Sequence, residues 1–248
     1  MSRSPLAGRR ALVTGGAVRV GRRLALELAA MGLDVAVHHR SSDAEAEGTA
    51  ADCRARGVAA AVVQADLSGA GGCRACVDDA ETALGGGIDV LVNSAANFLA
   101  APFGETTEEQ VDLALAVNLK APFLLAQAVA PGMAERGFGR IVNMADVAGL
   151  EPWPRFVAHS AAKAGVVMLT RSLAQELAPA VTVNAIAPGT VLMPEGASEA
   201  AARRAREKTV LDRIGSPDDV AGALRYLLEA DYVTGHTLVV DGGRLVRP

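Results

Sequence analysis

Short apolar runs alternate along the whole chain with longer stretches in which apolar positions recur every three or four residues. Runs at 10–13, 34–38, 59–63, 88–92, 140–144, 181–186 and 237–240 are built of Val, Ile, Leu and Ala and predict seven strands. Between them, 20–30, 43–56, 71–84, 108–136, 158–178 and 217–229 carry the helical period. Strand and helix repeated in this order predict βαβ units, and therefore one parallel sheet with helices on both faces. Helix ends are marked as well. Thr106-x-x-Glu109 predicts a capping box, Ser216-Pro217-Asp218-Asp219 an N-cap with proline and acids in the first turn, and Gly32 and Gly57 left-handed helix ends. No composition break or internal repeat divides residues 1–248, so a single domain is expected.

Composition narrows the function classes. Half of the 248 residues are hydrophobic but only 3% are aromatic, so Ala, Val and Leu must build the core. The net charge is −4, and the basic stretch 203–208 alternates with Ala and Glu as a solvated helix face, which argues against a nucleic-acid partner. No apolar run approaches 18 residues, so no membrane partner is expected. Without an apolar leader the expected location is the cytoplasm. Cys53, Cys73 and Cys76 are too few for a disulfide framework. Cys73-x-x-Cys76 falls in a predicted surface helix with no second ligand pair, so it is read as two small helix residues, and no metal site is expected.

Candidate chemistry begins where the first strand meets the first helix. There the chain reads Thr14-Gly15-Gly16-Ala17-Val18-Arg19-Val20-Gly21. A glycine-rich turn at that point presents backbone N–H groups and a helix N-terminus to a pyrophosphate, as in a doubly wound, Rossmann-type dinucleotide domain. An NAD site would place an acid at the end of the second strand. Here that strand runs into His39-Arg40-Ser41, whose guanidinium and hydroxyl suit a 2′-phosphate and predict NADP(H). Asp66, with Leu67 beside it, follows the third strand and is placed to accept from an adenine amino group. Asn93-Ser94-Ala95-Ala96 ends the fourth strand with small residues suited to a ribose or nicotinamide.

With these residues in hand, the chain resembles the short-chain dehydrogenase/reductase superfamily over its whole length. The motifs fall in the family's order: Thr14 to Gly21, Asp66, Asn93 to Ala96, Asn118, Asp146, His159-x-x-x-Lys163, Pro188-Gly189 and the ending Val240-Asp241-Gly242-Gly243. The resemblance implies NADP(H) binding by Gly15, Arg19, Val20, Gly21, His39, Arg40, Ser41, Asp66, Leu67, Asn93, Ala95, Lys163, Pro188 and Gly189. It also implies catalysis by Asn118, Asp146, His159 and Lys163, and assembly as a homotetramer. Within the superfamily the chain is most similar to the pteridine reductases, through Arg19, His39-Arg40-Ser41, Phe98 and an Asp146 thirteen residues before His159. That similarity makes Arg19 and Phe98 substrate contacts. Trp153, between Pro152 and Pro154, either lines the same pocket or anchors its loop.

Two positions depart from the pattern. The family's catalytic tyrosine is His159 here, and the only tyrosines, Tyr226 and Tyr232, lie far along the chain. Ala96 stands where pteridine reductases carry a serine. Imidazolium, with a pKa of about 6.5, is a better acid than phenol and needs less help to donate a proton. Lys163, one of three lysines, sits four residues on and shares a helix face with His159. Two function classes follow. One is an NADPH-dependent reductase of a small planar substrate with a C=N or C=O bond. The other is a catalytically weakened dinucleotide-binding protein that senses or scaffolds. Residues 191–208 resemble the family's substrate lid.

Overall fold

All seven apolar runs form strands: β1 (Arg10–Thr14), β2 (Asp34–His39), β3 (Ala60–Gln64), β4 (Val90–Asn93), β5 (Gly139–Met144), β6 (Val181–Pro188) and β7 (Thr237–Val240). The computed structural model describes residues 6–194 and 196–247. Every pairing is parallel, and the strand order is β3-β2-β1-β4-β5-β6-β7. Sequence order reverses between β1 and β4, which opens a crevice at the carboxyl ends of these strands. The helices are α1 (Arg19–Ala30), α2 (Asp43–Arg54), α3 (Ala70–Leu84), α4 (Glu108–Leu115), α5 (Ala121–Glu135), α6 (Val157–Glu176), α7 (Glu199–Glu207) and α8 (Pro217–Glu229).

Both sheet faces are buried. Along β1, Ala11 and Val13 join one cluster with Leu24, Leu28 and Leu224, while Leu12 joins the other with Val77, Leu125 and Met133. Each fully buried Leu or Val contributes about 1.5–3 kcal/mol, so this double burial locks the register that aligns the strand ends.

Four local expectations need correction or completion. The capping box lies one residue later, with Thr107 and Gln110 as reciprocal partners. Thr106 is taken up by a hydrogen bond from its Oγ1 to the Pro102 carbonyl at 3.1 Å. The predicted helix 108–136 is interrupted by a π turn, Ala116–Lys120, between α4 and α5. Pro122 has no N–H for the Asn118 carbonyl and its ring crowds that position, so the turn widens. The run Glu108–Glu135 is long and apolar enough to cross a membrane by length and composition, with mean hydropathy 1.6. Its apolar side packs on α3 and the sheet. Cys73 and Cys76 do not lie on a surface: both are buried on the inner side of α3, where burial pushes the Cys76 thiol up to about 12. No metal-holding cluster of His, Cys, Asp or Glu occurs among the described residues. Finally, residues 191–208 contain the short helix α7, whose Arg203, Arg204 and Arg206 are exposed as expected. Ser216 caps α8 as the sequence predicts, and Gly32 and Gly57 adopt φ of +86° and +87°.

Candidate active site

The glycine-rich turn is shaped by close approaches. A Cβ on Gly21 would stand 2.0 Å from the Gly15 carbonyl oxygen, and one on Gly15 would stand 2.9 Å from Ala95 Cα. Arg19 opens α1 with φ of +53°, a left-handed conformation that is costly for a non-glycine residue. These constraints leave a cavity of about 410 Å³ at the switch point. Among the residues lining it are Gly15, Arg19, Val20, Gly21, His39, Arg40, Ser41, Asp66, Leu67 and Ala95. The cradle fits a dinucleotide: a glycine-rich turn leading into the N-terminus of α1 lines it, and the Arg40 guanidinium and Ser41 hydroxyl stand at its β2 rim.

Each strand end contributes a fixed group. Thr14 Oγ1 accepts from the Ser94 and Ala95 amides at 3.0 Å, joining β1 to the chain after β4. Asp66 is exposed, and the Ser68 amide, 2.9 Å from its Oδ1, holds its carboxyl below the usual range, helped by Arg40. Asn93 lies beneath the crevice, with its Nδ2 donating to Asn143 Oδ1 at 2.8 Å. Pro188 and Gly189 end β6 on the same edge, with Gly189 pressed against Asp241 of the chain after β7.

His38 was not singled out by the sequence, yet it braces the turn. Its Nδ1 accepts from the Gly15 amide at 3.1 Å while Nε2 faces the Ala65 carbonyl at 3.1 Å. Only the neutral Nε2–H tautomer satisfies both. Burial pushes the imidazole down to about 4, against the opposing pull of that carbonyl, and His39 adds to the lowering. The unfolded side chain takes up a proton near pH 6.5 and the folded one only near 4. Between those values the unfolded state binds more protons, so stability must fall as pH drops. We expect the unfolding free energy from urea titrations to fall by on the order of 3 kcal/mol between pH 7 and 4 from this residue. His38→Gln should flatten that part of the profile, and an equal slope in parent and variant would show that His38 does not titrate this way.

The second half of the site forms where β5 meets α6. Asp146 Oδ1 accepts from the Ala148 amide at 2.8 Å and caps the turn Val147–Gly149. Its Oδ2 lies 3.4 Å from His159 Nε2. His159 is only 3% exposed, and its Nδ1 has no hydrogen-bond partner. Lys163, one turn along α6, is buried and donates to the Met144 carbonyl at 2.6 Å. Burial lowers its ammonium to about 8, with Asp146 opposing the shift. Gly149, also unforeseen, makes this packing possible: a Cβ there would lie 2.7 Å from the Lys163 carbonyl carbon. Gly149→Ala should therefore lower stability by about 1–3 kcal/mol in denaturant unfolding, and an unchanged midpoint would refute the close packing.

Asn118 sits in the π turn and holds the chain after β4. Its Oδ1 accepts from the Asn97 amide at 3.0 Å, and its Nδ2 donates to Asn97 Oδ1 at 2.8 Å. This fixes the approach of Phe98. The Phe98 ring stacks on Phe156 with centroids 4.3 Å apart, and meets His159 edge-on at 4.8 Å and Trp153 at 6.2 Å. Phe156 was also missed, although it lies three residues before His159, a spacing that places neighbours on one helical face. The site thus pairs a dinucleotide cradle with a His–Asp–Lys cluster under an aromatic wall.

A family model described as Enoyl-(Acyl carrier protein) reductase matches residues 16–244. The chain is 37% identical to 3beta-hydroxysteroid dehydrogenase 1 of Eggerthella lenta, over 98% of this chain and 96% of that protein. It superposes with TM-score 0.93 on a protein of Sinorhizobium meliloti 1021 assigned to the short-chain alcohol dehydrogenases, at 34% identity with both chains fully covered. It also superposes with TM-score 0.90 on a blue fluorescent protein from a metagenomic library in complex with NADPH, at 32% identity, covering 96% of this chain and 98% of that one. The chain belongs to the short-chain dehydrogenase/reductase superfamily of nicotinamide-dependent oxidoreductases.

Proposed function

We propose that the protein is an NADPH-dependent reductase of a small planar substrate carrying a C=N or C=O bond, with His159 and Asp146 together supplying the proton. The observation that carries this reading is the approach of His159 Nε2 to Asp146 Oδ2 at 3.4 Å, beside buried Lys163 and beneath Phe98. Bound nicotinamide supplies the hydride. The turn after β1 would hold the pyrophosphate, Arg40 and Ser41 the 2′-phosphate, and Lys163 the nicotinamide ribose. Asp146 Oδ2 accepts the Nε2–H of His159, which leaves Nδ1 as the atom from which a proton passes to the substrate.

The choice between C=N and C=O substrates is drawn in opposite directions. The stacked Phe98 and Phe156 favour a flat, pterin-like ring. The hydroxysteroid dehydrogenase relative favours a ketone. Steady NADPH oxidation over a panel of dihydropterins, diketones and quinones tests the reading, and no turnover on any of them would overturn it. In that case the second class, a dinucleotide-binding protein that senses or scaffolds, gains support. One observation favours it: His159 is only 3% exposed, with the Phe98 ring edge-on against it.

We also infer a homotetramer of D2 symmetry. Phe123 and Met168 are exposed large side chains on α5 and α6, and an apolar groove including Ala126, Ala130 and Leu173 runs beside Phe123. Sedimentation should show four copies at micromolar concentration, and a stable monomer would rule the assembly out.

A further inference from the structure

The aromatic wall over His159 is held from behind by a charged pair that the proposed chemistry does not use. Glu151 Oε1 accepts from the indole Nε1 of Trp153 at 2.7 Å and from Arg244 Nε at 2.6 Å. The Arg244 guanidinium also lies over the Trp153 ring, 4.7 Å from its centroid. The indole is thus fixed twice, at its N–H edge by the carboxylate and on its face by the cation. Its remaining neighbours are Phe98 at 6.2 Å and Phe156 at 6.0 Å, the two rings that stack beside His159.

Arg244 is itself firmly placed. Asp241, just after β7, accepts from the Gly243 and Leu245 amides at 2.8 Å, which fixes the turn on which Arg244 sits. The Arg244 side chain is 12% exposed and its Glu151 partner 28%, so the pair is shielded from solvent well beyond an ordinary surface ion pair. Planar stacking combined with a donor fork is a property of arginine that lysine lacks. The pair joins residues 93 apart in sequence, tying the turn after β7 to the loop that carries Trp153.

We infer that the Arg244–Glu151 pair is a strut that sets the orientation of Trp153, and through it the wall against which the substrate lies. Arg244 is a positioning residue, and Trp153 is a specificity-determining contact. This rests on the reductase reading above. The strut decides how well substrate is held, whereas the glycine-rich turn and Arg40 of the cofactor cradle follow β1 and β2, on the far side of the sheet from it.

The test compares Arg244→Gln and Arg244→Lys with the parent, using the substrate that the parent reduces best. Arg244→Gln should raise KM about tenfold while kcat stays within about threefold. NADPH affinity should be unchanged. Trp153 is the single tryptophan of the chain, so its emission reports on the wall directly. In Arg244→Gln that emission should shift to the red and become more open to acrylamide quenching. Arg244→Lys keeps the charge but not the plane and should fall between the two. An unchanged KM in Arg244→Gln overturns the strut and leaves the reductase reading standing. A KM that rises only together with the NADPH dissociation constant also overturns it, because the damage is then general. A parent that binds NADPH but reduces nothing in the panel overturns the reductase reading and the strut's substrate role together.

Discussion

Replacing His159 by alanine is expected to lower kcat about 100- to 10,000-fold, the usual worth of a positioned general acid, while NADPH affinity stays nearly constant. The imidazole stands 3.4 Å from Asp146 and one helical turn from Lys163, and no other His or Tyr joins that cluster among the described residues. His159→Tyr should retain more activity than the alanine variant, because a phenol beside a buried ammonium restores the donor usual in this superfamily. A loss of activity is expected above pH about 8, where Lys163 gives up its proton. Asp146→Asn should weaken the parent more than the tyrosine variant, since a neutral amide accepts the Nε2–H of His159 less strongly than a carboxylate does. Steady-state kinetics on one good substrate decide the matter. If His159→Ala keeps kcat within about threefold of the parent, water delivers the proton and the catalytic role fails.

Cofactor choice should turn on Arg40. NADPH is expected to bind at least tenfold more tightly than NADH, about 1.4 kcal/mol or more. Arg40 follows His39 at the end of β2, is exposed, and lines the dinucleotide cavity together with Ser41. Arg40→Asp removes a planar donor and places a negative charge beside the 2′-phosphate, so the preference should shrink or invert through repulsion. Because the site is open to solvent, added salt should narrow the difference between the two cofactors. Titration of NADPH and NADH against both proteins measures it. Equal affinities in the parent would remove Arg40 from the recognition of phosphate.

Some of this protein was determined by sequence alone. The strands are legible because a parallel sheet buried on both faces demands near-continuous apolar runs, and Val35 to Val37 or Val90 to Val92 can form little else. The turn from Thr14 to Gly21 was readable because its chemistry depends on local spacing after a strand, and His159 and Lys163 because four residues separate them on one helix, whereas Asp146 was reached only through the resemblance to the short-chain dehydrogenase/reductases. The tertiary structure alone decided the rest. The capping box sits at Thr107 rather than Thr106 because α4 begins at Glu108, while the Thr106 hydroxyl donates to the Pro102 carbonyl. Asn118 turned out to hold Asn97, since the π turn aims its amide at the chain after β4. His38 with Gly15, Gly149 with Lys163, and Arg244 with Glu151 and Trp153 are partners separated in sequence and joined by packing. Periodicity records which face of an element is apolar. It carries no record of which distant residue that face will meet, because the meeting is set by how the sheet stacks its helices and where its strand ends converge.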